Sequence, residues 1–146
     1  MSTQTLIQAS FTTSSINLET ATALTNAVRK ACEQIGIDVA IAVTDTAGHL
    51  KAFQRTDKGS FLAVDVAIDK AWTASFGVTT HGWVKLLADP NMAQMAHRPR
   101  LVAAGGGYPI KLGSTLIGGI GISGGNYTQD QQACEIALRH LGFDVE

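Results

Sequence analysis

The sequence predicts an α+β domain in which a mostly antiparallel sheet is packed with helices. Three observations predict it. Helix-type apolar periodicity at both ends of the chain brackets two pairs of short β-type runs. Each pair is joined by a hairpin signal, Asp45-Thr46-Ala47-Gly48 in the first and Gly113-Ser114 in the second. The composition, 45% hydrophobic and 16% charged over 146 residues, fills one core without the help of a metal or disulfides.

In chain order, residues 1–15 are rich in Ser, Thr and Gln. They read as a loosely structured extension, with at most a short edge strand over 6–11. Residues 16–146 read as one domain. Asn17 is placed to cap a helix running to about Ile35. Leu18, Ala21, Leu24, Val28, Ala31 and Ile35 give that helix one apolar stripe, and Gly36 ends it. Residues 38–45 form a nearly continuous apolar run, the pattern of a strand covered on both faces. Val39, Ile41 and Val43 take one face; Ala40 and Ala42 take the other, small enough for a helix or backbone to approach closely. Leu50–Arg55 is the returning strand.

Residues 61–76 predict a helix with Phe61, Ile68, Trp72 and Phe76 along one side and Ala63, Ala67, Ala71 and Ala74 along another. Apolar over most of its girth, it is expected to be deeply buried. Residues 81–88 give a short helix stopped by Pro90, and residues 91–97 a further turn ended by Pro99. Short strands at 110–112 and 115–117 flank a type II′ turn at Gly113-Ser114, and 118–122 continues the second. Thr128, with Gln131 completing a capping box, is expected to start a last helix that runs to about His140 and ends at Gly142.

The charge balance, 11 basic against 12 acidic residues, speaks against nucleic acid, which needs a positive field. No basic amphipathic face suggests a membrane surface, and no apolar run approaches spanning length. The first residues lack the basic start and apolar run of a signal peptide, so the expected address is the cytoplasm. Cys32 and Cys134 read as buried small hydrophobes. The four histidines show no metal-ligand spacing, so no structural metal site is expected, although a single histidine suffices for haem iron.

Several residues stand out as candidates for chemistry. Lys70 lies among small apolar neighbours on its helix and needs an acceptor or a pocket; Asp65 and Asp69 are close in sequence. It is read as half of a partly buried ion pair, as a lysine snorkelling to the surface, or as a ligand contact. Gly106, Gly107, Gly124 and Gly125 belong to a late glycine cluster that serves tight turns or a ligand's close approach. His97-Arg98-Pro99-Arg100 is a basic loop suited to gripping a carboxylate. Arg55 and Asp57 form a similar surface candidate. No Gly-x-Ser-x-Gly elbow or Walker loop is present.

Ala40-Ile41-Ala42-Val43-Thr44-Asp45 with Gly48, Arg55-Thr56-Asp57, and Ala67-Ile68-Asp69-Lys70-Ala71-Trp72-Thr73-Ala74 occur in a characteristic order. Gly106-Gly107-Tyr108-Pro109-Ile110 and the run from Gly118 to Gly125, followed by Asp130, complete it. In this order the chain resembles the GlcG/HbpS family, which also includes the C-terminal domain of PduO-type proteins. The resemblance spans about residues 16–141. It implies a profilin-like or PAS-like α+β fold and homo-oligomers built from dimers. For some members it implies haem or cobalamin-related partners and neighbouring catabolic genes. The chain departs from the pattern in carrying His49 where many relatives have a second glycine, and in lacking a Glu-x-x-Glu pair.

The first functional expectation is therefore a small-molecule binding protein, with haem or another anionic ligand near Lys70, Thr73, Tyr108 and the glycine loops. Its rival is a cofactor-free hydrolase or tautomerase of a small unsaturated carboxylate such as a ring-cleavage product. There Arg98 or Arg100 would hold the carboxylate and Lys70, His81 or His97 would transfer protons. A third reading gives Trp72, Trp83 and Phe76 to subunit interfaces.

Overall fold

The structure, a computed structural model, describes residues 7–145. Its elements are α1 (Leu18–Ile35), β1 (Ala40–Asp45), β2 (Leu50–Arg55), α2 (Phe61–Ala74), α3 (Thr80–Ala88), a 3₁₀ segment (Ala93–His97), β3 (Gly107–Leu112), β4 (Thr115–Ser123) and α4 (Tyr127–His140). The four strands form one sheet in the order β2-β1-β4-β3, antiparallel throughout. The predicted α+β architecture is the one observed.

The two faces of the sheet differ as the β1 pattern requires. Val43 pairs with Ile120 and Ile41 with Ile122, and these residues build the main core with Leu24 and Val28 of α1 and Ala133 and Leu138 of α4. On the other face Ala42 pairs with Gly121 and Thr44 with Gly119, and α2 lies on that floor through Ala63, Ala67 and Ala71. The approach is close enough to exclude side chains from the sheet. A Cβ on Gly121 would sit 2.2 Å from the Ala67 carbonyl oxygen, and one on Gly119 2.3 Å from that of Ala71. Part of the late glycine cluster is thus explained by the helix seat.

α1 has the expected caps: Asn17 accepts from the Thr20 amide at 2.8 Å, and Gly36 turns left-handed at φ +86°. The hairpin turn also agrees. Leu112 pairs with Thr115, Gly113 has φ +60°, and Ser114 is not left-handed, which fits type II′. β3 begins earlier than expected, at Gly107, and tolerates Pro109 because it is an edge strand.

Three expectations are corrected. α2 is not deeply buried all round: Phe61 is 89% and Phe76 71% exposed. One sheet covers one side of a helix, and the alanine side takes it. The helix also ends at Ala74, with Ser75 as C-cap and Gly77 at φ +107°. Second, α4 is capped by Asn126 rather than Thr128; Asn126 accepts from the Gln129 amide at 2.9 Å while Gln129 accepts from the Asn126 amide. Third, residues 7–11 form no strand, and Ile7 and Phe11 are exposed; Leu6 lies outside the described residues. The packed chain begins at buried Ile16, whose amide donates to Ile117 O at 2.9 Å.

Candidate ligand-binding groove

α2 presents Lys70 to the sheet, where it is 4% exposed. Its Nζ donates to the Ile122 carbonyl at 2.8 Å and pairs with Asp130 Oδ2 at 3.3 Å. Asp130 lies in the first turn of α4, and its Oδ1 accepts from the Gly125 amide at 3.0 Å. The partner is therefore sixty residues away rather than Asp65 or Asp69, because the helix turns those carboxylates off the sheet-facing side. Burial lowers the Lys70 pKa, and Asp130 opposes that shift; burial raises the pKa of Asp130, and Lys70 opposes it.

The glycine loops close around this pair. A Cβ on Gly106 would lie 2.6 Å from Ile122 O and 2.9 Å from Lys70 Nζ. The Gly107 amide donates to Thr80 Oγ1 at 2.8 Å. Gly124, at φ +139°, passes so near β1 that a Cβ would sit 2.3 Å from Asp38 O. The amide at Gly125 already holds the protein's own carboxylate. The described groups thus saturate one another and join α2, β4 and α4.

Other predicted residues make their own contacts. Arg55 Nη1 folds over its own loop onto the carbonyls of Thr56, Asp57 and Gly59, the last at 2.8 Å. Asp57 is exposed beside it. Tyr108 is buried and its hydroxyl donates to Glu135, burial first and then that carboxylate raising its pKa. The His81 ring meets the Tyr108 ring edge at 5.6 Å. His81 and His97 are both exposed, and neither shares a hydrogen bond with Lys70 among the described residues. No hydrogen bond among the described residues joins the three proton-transfer candidates.

Thr73, Arg98 and Arg100 do come together. Thr73 Oγ1 donates to Arg100 O at 3.1 Å and accepts from the Val102 amide at 3.1 Å, tying the basic loop to α2. Arg100 takes φ +74°, the one left-handed non-glycine among the described residues. Its Nε donates to Asp69 Oδ1 at 2.9 Å. The guanidinium carbons of Arg98 and Arg100 lie 5.9 and 4.8 Å from the centre of the Trp72 ring.

This loop edges a groove of about 660 Å³, walled by Trp72, Phe76, Trp83, Leu86, Met92, Met95 and Leu101, with Arg98 and the β1–β2 turn residues Thr46 and Ala47 beside them. Such a volume falls within the range of small-molecule sites. Phe76 and Trp83 pack at 5.7 Å between ring centres. Trp83 is 4% exposed, and its indole N–H meets no acceptor among the described residues. Leaving such a donor unpaired costs about 1–3 kcal/mol.

Only the third sequence reading used Trp72, Trp83 and Phe76, and it gave them to interfaces; Met92 and Met95 were passed over. The available signal was the large apolar side of α2, left over once the alanine side is seated, together with Trp83 on the next helix. Among the described residues no cluster of three or more His, Cys, Asp or Glu can hold a metal ion, and no helix is long and apolar enough to cross a membrane.

An uncharacterised 15.0 kDa protein from the dhaT-dhaS intergenic region of Citrobacter freundii is 31% identical over 128 residues, covering 84% of this chain and 89% of the relative. The crystal structure of a Streptomyces reticuli HbpS double mutant superposes with a TM-score of 0.85 at 26% identity, over 97% of both chains. That of a PduOC–haem complex superposes with a TM-score of 0.81 at 25% identity, over 90% of this chain and 99% of the other. The family model described as haem degrading protein HbpS-like matches residues 16–139, and with the fold shared as well, the chain belongs to the HbpS-like family.

Proposed function

We propose that this protein binds a planar, anionic small molecule of the haem type, in the groove between the end of α2, α3 and the 3₁₀ segment. The observation that carries the reading is the wall itself. Two tryptophans, a phenylalanine and two methionines surround about 660 Å³, and Arg98 stands against Trp72 in the same wall. Flat apolar surface suits a macrocycle, a guanidinium suits its carboxylates, and thioethers pack adaptably on aromatic faces. The relative crystallised with haem supports the ligand class.

The residues present fit haem chemically. Arg98 would hold a propionate; Met92, Met95 or His97, all on or beside the 3₁₀ segment, offer iron donors. When bound, haem would supply its redox-active iron. The chain's own part is to shield one face of the ring and fix its carboxylates. The rival enzymatic reading lacks an equivalent support, because Lys70 is committed to Asp130 and the candidate histidines His81 and His97 are exposed. Within this proposal residues 16–146 act as the folded unit and 1–15 as its extension. Exposed Phe61 and Leu62 at the start of α2 support association of copies.

Titration with haemin, followed by visible absorption, tests the reading. A sharp Soret band saturating at one equivalent is expected. It should weaken in Arg98→Ala and shift in one of Met92→Leu, Met95→Leu and His97→Ala. A broad band unchanged in all four variants refutes binding in this groove.

A further inference from the structure

Trp83, one of the residues lining the groove, carries a buried polar group that the protein does not satisfy. Trp83 Nε1 is the one buried side-chain nitrogen or oxygen without a hydrogen-bond partner among the described residues. The other buried polar side chains are paired: Lys70 with Asp130, Thr44 with Ala71 O and Gly119 O, Thr80 with the Gly107 amide. In a chain that otherwise completes its buried hydrogen bonds, a lone orphan at a candidate site calls for a reason. Phenylalanine would fill apolar space against Phe76 without carrying that donor.

Resting on the groove reading, we infer that the ligand carries a hydrogen-bond acceptor within its flat apolar body, apart from its anionic group, and that the Trp83 indole N–H donates to it. Two anchors would then fix the ligand: Arg98 for the carboxylate and Trp83 for a ring carbonyl or ring nitrogen. The chemical class is a conjugated, multi-ring carboxylate bearing an in-plane acceptor. Haem meets this only in part, since its four ring nitrogens are committed to iron. The Trp83 N–H is fully covered in the present arrangement, so side chains must move aside as the acceptor arrives. Met92 and Met95, in the same wall, have the unbranched, adaptable chains for that movement.

Two probes of the same outline test the inference: 9-oxofluorene-2-carboxylate and fluorene-2-carboxylate, which differ in one ketone. Affinities are measured by calorimetry on the full chain and on Trp83→Phe. The chain has 2 tryptophans, both in the groove wall, so an ¹⁵N–¹H spectrum with two indole signals reports occupancy directly. The oxo compound is expected to bind about five- to tenfold more tightly, the worth of one neutral hydrogen bond. That advantage should vanish in Trp83→Phe, and only the oxo compound should move the Trp83 indole proton downfield.

Equal affinities in the unmutated protein, or an advantage that survives Trp83→Phe, overturn the inference. If Trp83→Phe does not fold, the two probes and the indole signal on the unmutated chain still decide. Haemin separates the two claims. If it perturbs the Trp72 signal while the two carboxylates bind equally or not at all, the groove stands and the acceptor falls. If neither haemin nor either carboxylate perturbs an indole signal, the groove reading falls and this inference with it.

Discussion

Replacing Lys70 by Met removes the ammonium from a carboxylate that has almost no water to turn to. Asp130 is 2% exposed, and in the variant it would be left with the backbone amides of the Gly124-Gly125 loop, the Gly125 amide at 3.0 Å. Ile122 O loses its 2.8 Å donor at the same time. Breaking one side of a buried ion pair costs about 3–5 kcal/mol, because the surviving charge stays desolvated. For a chain of this size that corresponds to a fall in Tm of about 6–20 °C. Urea unfolding followed by tryptophan fluorescence measures it. The double variant Lys70→Met/Asp130→Leu removes both charges and should recover most of the loss, since apolar replacement of a whole buried pair is often close to neutral. The coupling energy between the two sites is therefore expected to exceed about 2 kcal/mol. Haemin affinity should be unchanged in the double variant, because the pair serves the fold. Additive losses with no recovery would refute the pairing argument, and a large loss of haemin affinity at unchanged stability would return Lys70 to the ligand site.

Three further outcomes follow from the geometry. Gly121→Ala forces a methyl to 2.2 Å from the Ala67 carbonyl oxygen and should destabilise by about 1–3 kcal/mol, read by the same urea titration. Asn126→Ala should cost about 1 kcal/mol and Thr128→Ala close to nothing, because Asn126 makes the capping bond to the Gln129 amide; equal effects would overturn the cap assignment. Alkali should destabilise the fold from about pH 9 upward. Burial raises the Cys32 thiol from 9.0 to about 12 and raises Tyr108 and Cys134 as well, so the folded state holds protons that the unfolded chain releases. Folded pKa values above the unfolded ones give stability that is complete below pH 9 and lost above it, by about 1.4 kcal/mol per pH unit for each group titrating in its window. A flat stability profile between pH 8 and 11 would contradict those shifts.

What the sequence made legible, and what it hid, divides by range of interaction. α1 and the β1–β2 hairpin could be read because each is set by neighbours: Asn17 and Gly36 at the helix ends, alternation along 39–43, a turn at 45–48. The alanine face of β1 even announced the close approach of a helix or backbone. The α4 start was misplaced by two residues because Asn126 and Thr128 both head a plausible capping box, and only backbone geometry chooses between them. Long-range pairing was the harder part. Lys70 was legible as a buried cation, yet no local rule leads from it to Asp130, since α2, β4 and the loop before α4 must first be stacked.

The groove illustrates the same limit in a form that bears on function. Along α2 the alanines and the large aromatics both look apolar, and periodicity alone buries both. The sheet decides between them by size: Gly119 and Gly121 leave a floor flat enough for alanine, and the helix settles too close for anything larger on that side. Trp72 and Phe76 are then pushed to the free side, where the loop carrying Arg98 and Arg100 is tied down by Thr73 and where α3 brings Trp83. The glycines and the aromatic wall are thus two consequences of one packing decision. A substitution that lifts α2 from the sheet, such as Gly121→Ala, should disturb the groove as well as the core. In that variant the haemin affinity and the Trp72 indole signal should change together with stability, whereas Asn126→Ala, acting at the N-terminus of α4, should lower stability and leave both unchanged.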